Sequence, residues 1–210
     1  MAITTVKVNE YIGAIASDAP VPGGGSASAV CAAQGAALAA MVARLTVGRE
    51  KFAQFNDTCE NVIKAEEALC AKLLEAAEKD SEAFDKVMAA YKMPKSTEEE
   101  KKARSSAIAD ATLIATEMPF CVMNMAYEAL LEANNLVGKS NPNAASDLGV
   151  SAMSLLTGIK GAHLNVLINL GGVKNEEKAA RFASEGERIE KDAEKIAGEI
   201  YNAVLENIKG

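Results

Sequence analysis

The sequence predicts an all-α, single-domain helical bundle with long antiparallel helices, spanning residues 1–210. Three observations carry this. Apolar residues recur at steps of three and four over most of the chain, and alternating β-branched residues appear only in the short TTVKV near the start. The chain is 49% hydrophobic but only 4% aromatic and has no Trp, so its core must be built from Ala, Leu, Val, Ile and Met, as suits closely packed helices. A length of 210 residues is enough for one sizeable core, and no low-complexity linker or internal repeat divides it.

A first helix is expected over 5–16, followed by the loop SDAPVPGGGS and a small-residue helix over 26–47. Residues 26–43 carry no charge, which invites a membrane reading. Their Ala, Gly and Ser content, with Gln34, fits a buried central helix better, because small side chains let neighbouring helices approach closely. One long helix, or two joined end to end, runs from Glu50 to Tyr91 and stops before Pro94. Ser96-Thr97-Glu98-Glu99-Glu100 resembles a capping box and opens the next helix, which continues to Val137 with a kink expected near Glu117 from Pro119. Gly138 to Pro142 forms a turn. NAASDLGVSAMSLL and KGAHLNVLINL read as two shorter helices separated by Thr157-Gly158, and the last helix covers 175–207. Its Phe182, Ile189, Ile196, Ile200 and Val204 suit either packing within the chain or pairing with another subunit.

A formal charge of -7 argues against nucleic-acid and anionic-membrane partners, since either requires a basic face. Cys31, Cys59, Cys70 and Cys121 form no CxxC pair and read as reduced core thiols of a cytoplasmic protein. MAITTVKVNE lacks the basic and apolar regions of a signal peptide. His163 is the only histidine, so zinc sites built from several histidines are excluded and no metal is expected; His163 itself reads as a packing or peripheral residue.

Tracing the apolar seam of the Glu50–Tyr91 segment leads through Phe52, Phe55, Cys59, Val62, Glu66, Leu69, Leu73, Ala77, Asp80, Phe84 and Met88. Two acids fall on a seam that should be buried. Each must be neutralised, paired with a cation or placed on a cavity, and Asp80, between Ala77 and Phe84, suits general acid/base chemistry. Asp110, Glu117 and Asn124 recur at seven on the following helix, where they are either solvated or part of a ligand site, and Glu117 lies beside the proline. Pro22, Gly23, Gly24, Gly25 and Ser26 feed a helix N-terminus, which favours anions or carbonyl oxygens, although by spacing alone a plain turn explains them better. Arg44, the only charge in a long apolar stretch, needs either a carboxylate or a ligand oxygen. Asp147 stands near a helix start, where an acid is favourable on electrostatic grounds alone. Asn165 and Asn169, four apart, face one side, and a heterocycle rich in donors and acceptors is a suitable partner.

The blocks SDAPVPGGGSASA, DSEAFDKVMAAYKMPK, ATEMPF, NPNAASDLGVSA and NVLINL, in that order, resemble the cyclodeaminase/cyclohydrolase family. That family comprises the C-terminal domain of formiminotransferase-cyclodeaminase and stand-alone methenyltetrahydrofolate cyclohydrolases. The resemblance covers nearly the whole chain and implies a homodimer with a tetrahydrofolate derivative in a groove and no cofactor beyond that substrate. Carried over by position, it picks out Asp18, Pro20, Gly23, Gly24, Gly25, Ser26, Asp80, Phe84, Glu117, Pro119, Asn143, Ser146, Asp147 and Asn165. It implies Asp80 as the acid/base, with Asp147 or Glu117 assisting and Arg44 fixing a ligand oxygen. The expected reaction is opening of 5,10-methenyltetrahydrofolate to 10-formyltetrahydrofolate, favoured because no formiminotransferase segment precedes the bundle. The alternatives are ammonia loss from formiminotetrahydrofolate and a non-catalytic helical dimerisation module.

Overall fold

The structure, a computed structural model, describes residues 3–209. Among these the regular elements are all helical: α1 (Val8–Ile15), α2 (Gly24–Arg44), α3 (Asn56–Tyr91), α4 (Glu98–Asn134), α5 (Ala145–Leu170) and α6 (Glu176–Lys209), with short 3-10 turns at Ile3–Thr5, Glu50–Phe55 and Pro142–Ala144. TTVKV forms a 3-10 turn leading to α1 rather than a strand.

α2 is the centre of the bundle, packed against α3, α4 and α5. Its buried face is almost entirely Ala, Gly and Ser, so neighbouring backbones come close instead of being spaced by large side chains. α5 runs antiparallel to it: Gly24 lies by Asn165, Ser28 by Gly161, Ala32 by Gly158 and Gly35 by Leu155. A Cβ added at Gly35 would come within 2.6 Å of Leu155 Cγ, and one at Gly158 within 2.7 Å of Ala32 Cβ. This overturns the expected break at Thr157-Gly158. α5 is one continuous helix of 26 residues, and Gly158 is the notch that receives α2. Ser151 reinforces the contact by donating its hydroxyl to the Gly35 carbonyl at 2.7 Å.

α2 begins inside the glycine run, two residues earlier than its sequence suggests, so Gly24 and Gly25 belong to its first turn. α4 opens on the expected capping box, with Thr97 Oγ1 accepting the Glu100 N–H at 3.1 Å and Glu100 Oε2 accepting the Thr97 N–H at 3.1 Å. It then runs unbroken through Pro119. Proline has no N–H, so the carbonyl four residues back loses its helical donor. That carbonyl, on Ala115, is taken by the side-chain amide of Asn169 at 3.0 Å.

The terminal helix packs within the chain: Phe182, Ile189, Ala193, Ala197, Ile200 and Val204 are buried, and Phe182 meets the Phe120 ring at 5.0 Å. α2 and α4 are long and apolar enough to cross a membrane by length and composition, but most of α2 is covered by the other helices. Of the four cysteines only Cys59 is fully buried, Cys31 and Cys70 are half-buried, and Cys121 is exposed, so the last is not a core thiol.

Candidate active site

The N-terminus of α2 meets the middle of α3 at Asp80. The Ser26 hydroxyl reaches Asp80 Oδ2 at 3.0 Å, with the Ala77 carbonyl at 3.0 Å and the Ser81 hydroxyl at 3.1 Å within the same reach. The Ser26 backbone N–H also donates to the Asp80 carboxyl. Gly23 gives α2 no side-chain cap, so Asp80 performs that service from the neighbouring helix. Burial pushes the Asp80 carboxyl above the usual aspartate range, and the two bonds from Ser26 oppose that rise. No cation is paired with Asp80 among the described residues.

Glycine is required for this closeness. A Cβ at Gly25 would lie 2.3 Å from Asp80 Oδ1 and 2.5 Å from Oδ2, inside any allowed contact. The carboxylate therefore rests directly on the first turn of α2, where backbone N–H groups give a positive end.

A cavity of about 300 Å³ opens in front of it. Its lining comes from four elements: the Pro20–Gly25 loop and helix start, Asp80, Phe84 and Val87 of α3, Ala115 of α4, and Asn165, Ile168 and Asn169 of α5. Asn165 gives one amide N–H to the Gly161 carbonyl at 2.8 Å, which fixes its orientation in the wall. One carboxyl group, two amides, a ring and exposed apolar side chains thus converge on one concavity. Among the described residues no group of three or more His, Cys, Asp or Glu is arranged to hold a metal ion.

Of the residues singled out in sequence, Pro20, Gly23, Gly24, Gly25, Asp80, Phe84, Asn165 and Asn169 line this cavity; Ser26 stands behind Asp80 and Pro22 is buried in the loop. Four others are elsewhere. Arg44, the last residue of α2, forms an ion pair with Glu67 of α3, about 30 Å along the helix from Gly24 at 1.5 Å per residue, so it holds no ligand here. Glu117 is paired with Lys178 of α6 at 2.9 Å and does not line the cavity. Asn143 is exposed in the 3-10 turn at the far end of the bundle. Asp147 sits in the first turn of α5, about 27 Å along that helix from Asn165. The NPN block itself has a structural use: Asn141 takes the Thr46 hydroxyl oxygen as acceptor for its N–H at 2.9 Å and gives its amide to the Leu45 carbonyl at 3.3 Å.

His163 is buried between α5 and α6, hydrogen-bonded through Nδ1 to Glu190. Glu66 is fully buried with both carboxyl oxygens unpartnered, and burial, with Glu132 and Glu128 nearby, pushes it up to about 9. It lies about 21 Å before Asp80 on α3 and is a neutral core group. Val87, Ala115, Ile168 and Ser81 escape sequence reasoning. Only Ala115 had a signal, its place four residues before Pro119.

A profile of the family described as Formiminotransferase-cyclodeaminase matches residues 7–188. The chain belongs to the formiminotransferase-cyclodeaminase family. It is 35% identical to the methenyltetrahydrofolate cyclohydrolase of Methylorubrum extorquens over 96% of this chain and 97% of that one. It is 33% identical to the formimidoyltransferase-cyclodeaminase of Rattus norvegicus over 80% of this chain but only 31% of that longer protein. In structure it matches the formiminotetrahydrofolate cyclodeaminase of Thermotoga maritima with a TM-score of 0.81 at 28% identity, covering 99% of this chain and 98% of that one. Family membership accounts for the all-helical bundle.

Proposed function

We propose that this protein is a methenyltetrahydrofolate cyclohydrolase that interconverts 5,10-methenyltetrahydrofolate and 10-formyltetrahydrofolate, with Asp80 moving the proton. The observation that carries the chemistry is a half-buried carboxyl, free of any cation among the described residues, held by Ser26 at the edge of a cavity. Its near-full-length likeness to a cyclohydrolase supports the choice of substrate.

Water adds to the electron-poor carbon between N5 and N10, and Asp80 takes one of its protons as the C–O bond forms. Asp80 then returns that proton to N5 as the C–N5 bond breaks. The hydroxyl proton of the adduct leaves as the formyl C=O forms, so one proton is released per turnover. A carboxyl pushed upward by burial, yet still held ionisable by two hydrogen bonds, suits both halves of this cycle. Phe84 offers a flat face to the pterin ring, and Asn165 and Asn169 offer amides to its edge. The 300 Å³ space is of the size that takes a ring system, with the rest of the ligand extending outward.

A second reading is formiminotetrahydrofolate cyclodeaminase, favoured by the Thermotoga maritima likeness. N10 would attack the formimino carbon and ammonia would leave, again through a tetrahedral carbon beside one carboxyl. The same proposal takes the enzyme as a cytoplasmic homodimer that uses no cofactor beyond its folate substrate and binds neither nucleic acid nor membrane, in keeping with its charge of -7 and four free thiols. The test is to follow loss of the near-ultraviolet absorbance of methenyltetrahydrofolate and, separately, ammonia release from formiminotetrahydrofolate. Turnover of the first supports the cyclohydrolase, turnover of the second alone supports the cyclodeaminase, and turnover of neither defeats both.

A further inference from the structure

A folate carries a glutamate on its aminobenzoyl group, so the end of the molecule far from the one-carbon bridge is anionic. The lining of the Asp80 cavity holds no cation to meet it. Arg44, expected from the sequence to fix a ligand oxygen, is paired with Glu67 at the other end of α2.

Two lines of residues run from the cavity toward the turn between α3 and α4. On α3, Asp80, Phe84, Val87 and Tyr91 follow one another at steps of four, three and four, so they share one face. On α4, which returns beside it, Ala115, Ala111, Ile108 and Arg104 follow the same steps in reverse. Asp80, Phe84, Val87 and Ala115 line the cavity. Tyr91 stands eleven residues past Asp80, and Arg104 eleven residues before Ala115, which is about 16 Å along either helix. There the two meet: Arg104 Nε and Nη2 both donate to the Tyr91 carbonyl, at 3.2 and 3.0 Å, and the guanidinium carbon lies 5.5 Å from the centre of the Tyr91 ring.

Half of this arrangement serves the fold, since a cation at the end of α3 satisfies a carbonyl that the helix leaves without a donor. The other half has no use within the chain. A guanidinium carries five N–H donors and two edges that match a carboxylate. The Tyr91 carbonyl takes the Nε and Nη2 edge, and no carboxylate is paired with Arg104 among the described residues. Glu100, one turn earlier on α4, accepts the Ser96 and Thr97 N–H groups instead. The Nη1 and Nη2 edge is therefore open, on a half-buried side chain whose position the Tyr91 carbonyl and ring already fix.

We infer that Arg104, held in place by Tyr91, binds the glutamate carboxylate of the folate substrate while the one-carbon bridge lies at Asp80. This rests on the folate reading given above. An extended aminobenzoylglutamate sets its carboxylates about 10–12 Å from N10 on standard bond lengths, and the reach of the arginine side chain covers the rest of the span. Binding at this remote end fixes the substrate lengthwise, so that the reacting carbon is presented to Asp80.

The test compares 5,10-methenyltetrahydrofolate with 5,10-methenyltetrahydropteroate, which lacks only the glutamate; if ammonia release is the reaction, the two formimino compounds are compared in the same way. The natural protein should prefer the folate in kcat/KM by about 10- to 100-fold, as one bidentate, charge-assisted contact provides. Arg104→Ala should bring the two substrates to nearly equal kcat/KM, with the loss on the folate appearing in KM. Arg104→Lys keeps a donor for the Tyr91 carbonyl and serves if Arg104→Ala does not fold; without a second edge for a carboxylate, it too should lose preference, by at least about threefold. A natural protein with no preference, or variants that lose both substrates equally and keep the preference, would overturn the inference and leave the proposed function standing. A natural protein that turns over neither folate defeats the proposed function and this inference with it.

Discussion

The hydroxyl of Ser26 and the carboxylate of Asp80 meet at 3.0 Å across the α2–α3 seam. Asp80 is thereby both the N-terminal cap of α2 and the acid facing the cavity. The two roles oppose each other in a useful way: desolvation drives the carboxyl toward its neutral form, and the helix end draws it toward its charged form.

Ser26→Ala removes one of the two donors that hold the Asp80 carboxyl down. Its upward displacement by burial is then less opposed, so the pH at which the active carboxylate forms moves higher. The acid limb of the kcat/KM profile should shift to more alkaline pH, with little loss of the plateau rate. An unmoved acid limb would mean that Asp80 does not control it.

Gly25→Ala inserts a methyl group 2.3 Å from Asp80 Oδ1. Relief requires the carboxylate to leave the helix end or α2 to move from α3, at a cost of about 1–3 kcal/mol. Thermal unfolding should show that loss, and activity should fall far more than the lost stability alone would cause. Full activity with unchanged stability would contradict the close approach.

Glu66 gives a stability prediction independent of catalysis. Its folded-state value of about 9 lies above the unfolded value of 4.5, so the folded protein holds this proton more tightly. Its contribution is fully present below pH 4.5 and is lost as pH rises toward 9. Glu66→Leu removes that loss, so the variant should gain stability over the natural protein between pH 5 and pH 8, by about 1.4 kcal/mol per pH unit at most. Denaturant unfolding at the two pH values checks this. An equal difference at both would mean that Glu66 is not held neutral.

Gly158→Leu tests the notch that keeps α5 whole. The added side chain meets Ala32 and the Ser28 carbonyl, already 2.7 Å and 2.8 Å from a single Cβ, and should destabilise by more than about 3 kcal/mol. A tolerated leucine would return Gly158 to the role of a loose turn.

The helices were largely legible because their limits are local: Pro94 ends α3, and Thr97 with Glu100 opens α4. Thr157-Gly158 misleads for the opposite reason, since a glycine that breaks a helix and one that admits a neighbour look alike until Ala32 is in place. Asp80 was legible from the seam of α3, because helix periodicity alone puts the carboxyl against apolar neighbours. Arg44 was legible only as a charge needing a partner. That partner, Glu67, depends on how α2 and α3 align, which no local pattern states. The capping of α2 by Asp80 was hidden likewise, since it joins residues that only the tertiary fold brings together.

The central claim is that Asp80 carries the proton at the folate carbon, and Asp80→Asn is its most direct measurement. An asparagine keeps the size and an acceptor for Ser26 but cannot shuttle a proton. With the fold verified by circular dichroism, hydrolysis of methenyltetrahydrofolate should fall by about 10²- to 10⁴-fold in kcat, KM changing little. An Asp80→Asn protein that retains the natural kcat would contradict the account.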